Sequence, residues 1–398
     1  MVRYDRYFGH ALNGWDAQFY YAQSRALFFG HTFDITSYLR ETPWTPPFQH
    51  PGEAPFSAVP RNQRGELQSK YPLGLPLVET IFLGLAHGAR LTLHACGVRF
   101  SDPPGLSEFE IGCVALGLFS LTFIALMRLG ALCFGEYPSP ARTVLAVLGA
   151  YFGTTLYFYS AAFPFMSHGL GFAASVFWIA ELKSLPERRG FNLAYIRLGF
   201  LAALIFLIRP QQILLPLFSL PFLWKPMLRR PGLWLPGAVI GFLASLGAVA
   251  LTLAYNKHQF GVYTLNSYGQ RGEGFDFFHP QLGYVLFGGE RGLFFYAPIL
   301  FLALPGLIDS LRRGRCPWLW PAMVNGACQI YLVASWWTPK QGDSFGMRMW
   351  TENVFLVAFG LCAAPLPARK SWKYAFYALV MACCAWTVYR TFHYLAWT

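Results

Sequence analysis

One acidic residue near the start of the chain stands where a carboxylate could act as a base. Asp16 lies in the segment Gly-Trp-Asp-Ala-Gln-Phe-Tyr-Tyr, residues 14–21, directly before a helical pattern that runs from Phe19 to Phe29. A carboxylate held among aromatic side chains at such a place could take a proton from a hydroxyl group. Asp is also common at helix starts, where it caps the first backbone amides. The sequence leaves both uses open.

Three cations stand at the borders of apolar runs. Lys70 precedes Tyr71-Pro72-Leu73, where an ammonium could bind a lipid phosphate or simply extend to the membrane surface. Arg209, followed by Pro210, interrupts an apolar stretch, and a charge there is costly unless it is paired or faces water. Arg348 precedes a late apolar run, where a guanidinium suits bidentate recognition of phosphate.

A second group of polar and aromatic residues could line a binding site. The segment from 256 to 291 mixes charges with aromatic residues and glycines, which is typical both of carbohydrate sites and of plain loops. A histidine at the start of an apolar run could bind a ligand or could be structural. These further candidates are Tyr20, Tyr21, His168, Glu273, Asp276 and Trp337. The sequence has no zinc-type Cys/His spacing, HExxH, P-loop, GxGxxG or GxSxG signature, so we expect neither a metal nor a cofactor.

The composition indicates the kind of protein that must position these residues. Of 398 residues, 55% are hydrophobic and 13% are charged, against about 25% charged in an ordinary soluble domain. These values exclude a soluble enzyme, a disordered chain and a coiled coil. The net charge of +12 comes from basic residues in short clusters between apolar runs, which favours a membrane protein over a nucleic-acid-binding one.

The apolar runs predict an all-α polytopic membrane protein with about 10–11 transmembrane helices, each needing about 20 mostly apolar residues. They lie near residues 110–132, 142–162, 166–182, 193–208, 211–224, 233–255, 293–310, 317–335, 350–366 and 373–392. A run from 72 to 93 contains Pro, Gly, Glu and His, and we expect it not to cross fully. We therefore divide the chain into residues 1–71, an extracytoplasmic loop region with interfacial helices, and residues 72–398, a multi-span domain.

The orientation follows from four basic loops, which belong on the cytoplasmic side. They contain Lys183, Arg188 and Arg189; Lys225, Arg229 and Arg230; Arg312, Arg313 and Arg315; and Arg369, Lys370 and Lys373. Alternation then places the loops at 163–168, 209–211, 256–291 and 336–350 on the outer face of the inner (plasma) membrane. All the candidate site residues are expected on that face.

With these motifs in this order, the chain resembles the GT-C superfamily of polytopic glycosyltransferases, in particular the bacterial relatives of protein O-mannosyltransferases and of the lipid A aminoarabinose transferase. Members have an acid in the first outer loop, a Lys-Pro-Pro-Leu-like entry, an Arg-Pro break and a late Arg that opens a helix. The matching residues here are Asp16, Lys70, Arg209 and Arg348. The resemblance spans residues 10 to 365 and departs at Ala17, where a second acid often stands, and at Tyr71, which replaces the first Pro.

The resemblance implies an inverting sugar transfer from a polyprenyl-phosphate-linked donor to a lipid, glycan or protein acceptor in the cell envelope, without nucleic acid. Asp16 would be the general base, and Lys70, Arg209 and Arg348 would contact the donor phosphate. The alternative is a polytopic transporter or lipid flippase, in which buried charges line a path. Such transporters usually contain internal repeats with paired broken helices, and the sequence has no convincing repeat. A non-catalytic membrane assembly protein is a third possibility.

Overall fold

The computed structural model describes residues 12, 15–41, 59–185, 191–229, 235–342, 344–366 and 369–397. This part of the chain is all-helical, with two isolated β-bridges. The α-helices are α1 (Trp15–Phe29), α2 (Thr36–Arg40), α3 (Gly74–Ala95), α4 (Glu108–Glu136), α5 (Pro140–Phe152), α6 (Ser167–Ser184), α7 (Phe191–Ile208), α8 (Leu214–Arg229), α9 (Leu235–Phe260), α10 (Leu282–Phe287), α11 (Leu293–Tyr296), α12 (Ile299–Arg312), α13 (Trp320–Ala334), α14 (Phe355–Ala363) and α15 (Lys370–Trp397).

Three helices are long and apolar enough to cross a membrane: α4, α9 and α15. Helix α15 also has the aromatic distribution of a membrane span, with exposed Trp372 and Tyr374 near one end, exposed Leu379 in the middle, and exposed Tyr389 and Phe392 near the other end. Aromatic side chains favour the two membrane–water interfaces, whereas aliphatic ones favour the hydrocarbon between them. The total number of spans and their orientation stay predictions.

Several predicted apolar runs form shorter or broken helices. The run from 293 to 310 is divided into α11 and α12 because Pro298 follows Ala297, and a residue before proline avoids the helical conformation. Arg348 does not open an apolar helix directly. It begins a 3₁₀ turn, Arg348–Asn353, and α14 starts only at Phe355. The run from 72 to 93 is a single helix, α3, and it is not among the three candidate spans.

Glycines allow two pairs of helices to pack with their backbones in contact. Helices α7 and α9 touch at Gly199 and Gly241, where a side chain on Gly199 would overlap the backbone of Gly241. Helices α12 and α14 touch at Gly306 and Gly360, where a side chain on Gly306 would overlap the carbonyl of Gly360. Small residues at such crossings let membrane helices approach closely and gain van der Waals packing.

Two local features position the elements that carry Asp16 and Arg209. Helix α1 packs on α3, and Ser24 donates a hydrogen bond to the buried Glu79, which fixes the helix that starts beside Asp16. Helix α7 ends at Ile208 because Arg209 precedes Pro210, and Arg209 is extended with φ −148° and ψ 92°. The Arg-Pro break predicted from the sequence is therefore confirmed.

Candidate functional site

Asp16 forms an ion pair with a residue from the other end of the chain. Arg348 Nη1 donates to Asp16 Oδ2 over 2.9 Å, and the Tyr71 hydroxyl donates to Asp16 Oδ1 over 2.6 Å. Both Asp16 and Arg348 side chains are about one-fifth exposed, with 21% of their surface accessible. Asp16 therefore lies at the border between the protein interior and an accessible space, and each of its two oxygens has one donor.

The surroundings keep the Asp16 carboxyl ionised. Burial alone would raise the pKa of Asp16, but the charge of Arg348 and the hydrogen bond from Tyr71 outweigh it. Lys70 and Arg209 are also near enough for their charges to lower this pKa, and the outcome is a value below the ordinary one. Each carboxylate oxygen has two lone pairs, so Asp16 can still accept a further hydrogen bond from a ligand.

Lys70 lies beside the same acid and has its own carboxylate partner. Its ammonium forms an ion pair with Glu273 and lies 5.1 Å from the centre of the Tyr268 ring and 5.9 Å from that of Tyr71. The 3₁₀ turn Gly269–Arg271 lies between Tyr268 and Glu273, so two of the three residues that contact Lys70 come from the segment after α9. Such cation–π contacts contribute about 0.5–2 kcal/mol.

A cavity of about 490 Å³ opens beside these residues. This volume is within the range of roughly 300–1,000 Å³ that small-molecule sites occupy. Its lining combines two aromatic rings, amide side chains, two cations and an acid: Trp15, Phe19, Val59, Pro60, Gln68, Lys70, Gln270, Arg271 and Glu273. Arg271 donates from Nη2 to the Gln68 carbonyl over 3.1 Å, whereas its buried Nε has no partner. A ligand with hydroxyl groups and negative charge would complement this lining.

Arg209 is held in a buried cluster with an acid and a histidine. Its Nε donates to Glu352 Oε1 over 3.1 Å, and its Nη2 lies 2.7 Å from His168 Nε2. His168 Nδ1 lies 3.0 Å from the same Glu352 oxygen. The same Arg209 Nη2 also lies 2.9 Å from His168 Nδ1, and because a guanidinium can only donate, the unprotonated ring nitrogen of His168 accepts from it. The buried charge of Arg209 is thus balanced by Glu352.

Tyr20 connects the two parts of the site. Burial raises the pKa of Tyr20 to about 12, while Arg209 and Arg348 lower it and Asp16 raises it. The Tyr20 and Tyr71 ring centres are 5.2 Å apart. The charges of Arg209 and Arg348 therefore act on the same tyrosine and on the same acid.

Three of the residues singled out in the sequence lie away from Asp16. The hydroxyl of Tyr21 donates to the Gly105 carbonyl over 2.8 Å, which anchors α1 to the start of α4. Asp276 accepts from His279 and from the Phe278 amide in an exposed turn. Trp337 is 58% exposed, and its amide donates to the Gly274 carbonyl. Their proposed part in substrate binding stays a prediction without support from this geometry.

Sequence reasoning missed three side chains that contact the predicted ones. Tyr71, noted only as a departure from the family pattern, donates to Asp16. Glu352 pairs with Arg209, and the Tyr268 ring lies beside Lys70. Glu352 had a sequence signal, since an acid four residues after Arg348 at the edge of an apolar run needs a cation. The other two had none.

The described residues contain no group of three or more His, Cys, Asp or Glu side chains that could hold a metal ion. Comparisons with known protein families, with curated proteins and with solved structures found no match for this chain. The arguments for a function therefore rest on the site itself.

Proposed function

We propose that this protein is an integral membrane glycosyltransferase that moves a sugar from a polyprenyl-phosphate donor to an envelope acceptor on the extracytoplasmic face. The observation that carries the proposal is the ion pair of Asp16 with Arg348, supported by the Tyr71 hydroxyl, close to a cavity of ligand size. Trp15, the neighbour of Asp16, lines that cavity, and so does Lys70, whose charge lowers the pKa of Asp16. One ionised acid and several cations thus lie near a ligand-sized cavity in a chain with helices of membrane-spanning length. The family resemblance of the motifs agrees with this combination.

In this mechanism the acceptor hydroxyl attacks the anomeric carbon of the donor sugar, and Asp16 takes the hydroxyl proton. The bond between that carbon and the phosphate oxygen breaks, and polyprenyl phosphate leaves with both bonding electrons. Arg348 and Lys70 would stabilise the negative charge that develops on the phosphate. General-base assistance of this kind typically contributes about 10²- to 10⁴-fold in rate.

Donor binding would also change the basicity of Asp16 through its ion pair with Arg348. Arg348 has one terminal nitrogen, Nη1, on Asp16, and its other terminal nitrogen has no protein acceptor among the described residues. A phosphate that draws Arg348 towards itself would weaken the pair and raise the pKa of Asp16. The base would then become stronger only when the donor is in place.

A transporter or lipid flippase is the second candidate, and the buried polar network behind the site favours it. Asn325 donates to Gln212 and to Asn353 over 2.9 and 2.7 Å, next to the pair of Arg209 and Glu352. Buried polar residues in membrane proteins often mark a substrate path. A transporter would not need an ionised acid with room for one more hydrogen bond beside a cavity, so we prefer the transferase.

Mass spectrometry of envelope glycans and polyprenyl-phosphate sugars tests the proposal in a strain that lacks the gene. We expect a donor to accumulate in this strain and in one that carries Asp16→Asn. The wild-type gene and the matched control Asp34→Asn should restore the normal profile, because Asp34 binds only the Thr36 amide nearby. A normal profile in the Asp16→Asn strain would contradict the proposal. Unchanged glycans together with lost transport of a labelled polyprenyl phosphate would favour the transporter.

A further inference from the structure

A cluster of aromatic side chains projects from the segment between α9 and α11. Phe275, Phe277 and Phe287 are 43%, 46% and 61% exposed, and Phe278 is 91% exposed. We call these four residues the aromatic wedge. An isolated exposed phenylalanine needs no explanation, but here four lie within 13 positions, and the rings of Phe275 and Phe277 stack with their centres 5.2 Å apart.

The wedge is held in place by backbone hydrogen bonds. The amide of Asp276 donates to the Ser335 carbonyl over 2.7 Å, and the Trp337 amide donates to the Gly274 carbonyl over 3.0 Å. The Tyr331 hydroxyl of α13 donates to the Phe277 carbonyl over 2.6 Å. The exposed rings are therefore fixed on the end of a helix rather than carried on a free loop.

Stacked rings connect the wedge to a candidate membrane span. The Phe287 ring lies 5.3 Å from that of Phe294, which lies 4.3 Å from the ring of Phe301 on α12. Next to Phe294, the Phe295 carbonyl accepts from the Trp386 indole of α15 over 2.8 Å. Trp386 lies one turn before Tyr389, at the aromatic end of α15 that also contains Phe392. The stacked rings therefore contact α15 near the end that we expect at a membrane–water interface.

Charged groups border the apolar surface on its other side. His279 and Asp276 form an exposed pair, and Lys340 and Glu290 form another, with 3.0 Å between the charged atoms in each. An apolar surface edged by hydrated charges matches the boundary between lipid tails and headgroups.

We propose that the aromatic wedge is inserted into the headgroup region of the bilayer that α15 crosses, with the Phe278 ring pointing into the lipid. The partner is a phospholipid surface, and the inference does not depend on the proposed function. Ring contacts also connect the wedge to Lys70, because the Trp336 ring lies 4.7 Å from that of Phe275 and 5.6 Å from that of Tyr268, which the Lys70 ammonium contacts. Anchoring the wedge would hold Tyr268, and with it the segment that pairs with Lys70, at the membrane surface.

Fluorescence quenching in liposomes tests the insertion. The variants Phe278→Trp and Asn266→Trp are reconstituted in phosphatidylcholine with bromine either on shallow acyl carbons or absent, and the wild-type emission is subtracted. Asn266 is the matched control because it is exposed in the same interhelical segment but lies outside the wedge. We expect the added emission of Phe278→Trp to be shifted to the blue and largely lost with brominated lipid, and that of Asn266→Trp to keep its intensity.

Acrylamide, which quenches tryptophan emission from the aqueous phase, provides the complementary measurement. Quenching of Phe278→Trp by acrylamide to the same extent as Asn266→Trp, with no loss in brominated lipid, would overturn the proposal. Protection from both quenchers would also overturn it, because a protein surface would then cover the wedge. Phe278 packs against little else, so the substitution should leave the fold intact, and the elution profile of the purified variant checks this.

Discussion

The ion pair of Asp16 and Arg348 can be tested with a double-mutant cycle of Asp16→Asn, Arg348→Met and the two together. Two unit charges about 4 Å apart interact by roughly 4 kcal/mol at the effective dielectric constant near a protein surface. Desolvation offsets part of this attraction, and charge-assisted hydrogen bonds contribute about 1.5–3 kcal/mol net. With a 2.9 Å contact and one-fifth exposure on both sides, we expect a coupling free energy of about 1.5–3 kcal/mol.

Loss of the ion pair should also change how the stability of the protein depends on pH, which a simple loss of packing would not do. In the wild type the pKa of Asp16 is lowered, so its ionised form stabilises the fold above its ordinary pKa, and this contribution is lost as the pH falls through the lowered value. In Arg348→Met, burial becomes the dominant influence and the pKa of Asp16 should rise. As the pH falls from 7 to 4, the stability of Arg348→Met relative to the wild type should therefore rise, because only the wild type loses the stabilising ionised form of Asp16.

The assay is thermal unfolding of the four proteins in detergent between pH 7 and pH 4. Asp309 and Arg313, four residues apart at the end of α12, form a matched control pair with a 2.8 Å contact. Their arginine is 53% exposed, and such surface pairs contribute about 0.2–1 kcal/mol. A coupling between Asp16 and Arg348 no larger than that of the control, or identical pH slopes in wild type and Arg348→Met, would refute the reasoning.

Three further substitutions probe the cluster, the packing and the cavity. Glu352→Ala leaves the buried charge of Arg209 without its acid, and we expect a loss of about 3–5 kcal/mol in folding free energy, seen as a lower unfolding temperature and folded yield. Gly306→Ala places a methyl group against the Gly360 carbonyl and should cost about 1–3 kcal/mol or more, measured in the same way. Arg271→Ala removes a cation from the cavity and should weaken binding of a polyprenyl-phosphate sugar about tenfold, measured with purified protein in detergent.

Each of the three has a control in the same protein. Glu290→Ala removes an exposed acid and should leave stability unchanged. Gly247→Ala adds a methyl group to α9 where no atom lies within 4 Å. Lys257→Ala removes an exposed cation that bonds only the Gly261 carbonyl nearby, so donor affinity should not change. A control variant that behaves like its test variant would contradict the corresponding explanation.

The sequence predicted the helical class and the local breaks, because both depend on neighbours along the chain. The break at Arg209-Pro210 and the helix start at His168 follow from residue order and are confirmed. The helix predicted from Phe19 to Phe29 is also present, but it begins at Trp15, so Asp16 lies in its first turn rather than before it. Helix lengths were harder to predict. The apolar run from 293 to 310 predicted a single span, although Pro298 within it was the local signal for the break.

The partners within the site could not be predicted, because pairing is a matter of three-dimensional packing. The sequence singled out Asp16, Lys70 and Arg348 without indicating that Arg348 would pair with Asp16 or that Glu273 would pair with Lys70. Tyr71 illustrates the limit most clearly. In the sequence, Tyr71 was only a residue that replaces a proline of the family pattern. In the fold, its hydroxyl lies 2.6 Å from the Asp16 carboxylate.

The distance in sequence between Asp16 and Arg348 has a consequence for biosynthesis. The two residues are 332 positions apart, and Arg348 arises only after most of the helices have been made. At about 5–20 residues per second, roughly 20–60 seconds pass on the ribosome before the acid can meet its cation. Until then the Asp16 carboxylate can use only the Tyr71 hydroxyl and the charges of Lys70 and Arg209. A chain that stops before residue 348 would therefore lack the ion pair that links the helix of Asp16 to the late part of the sequence.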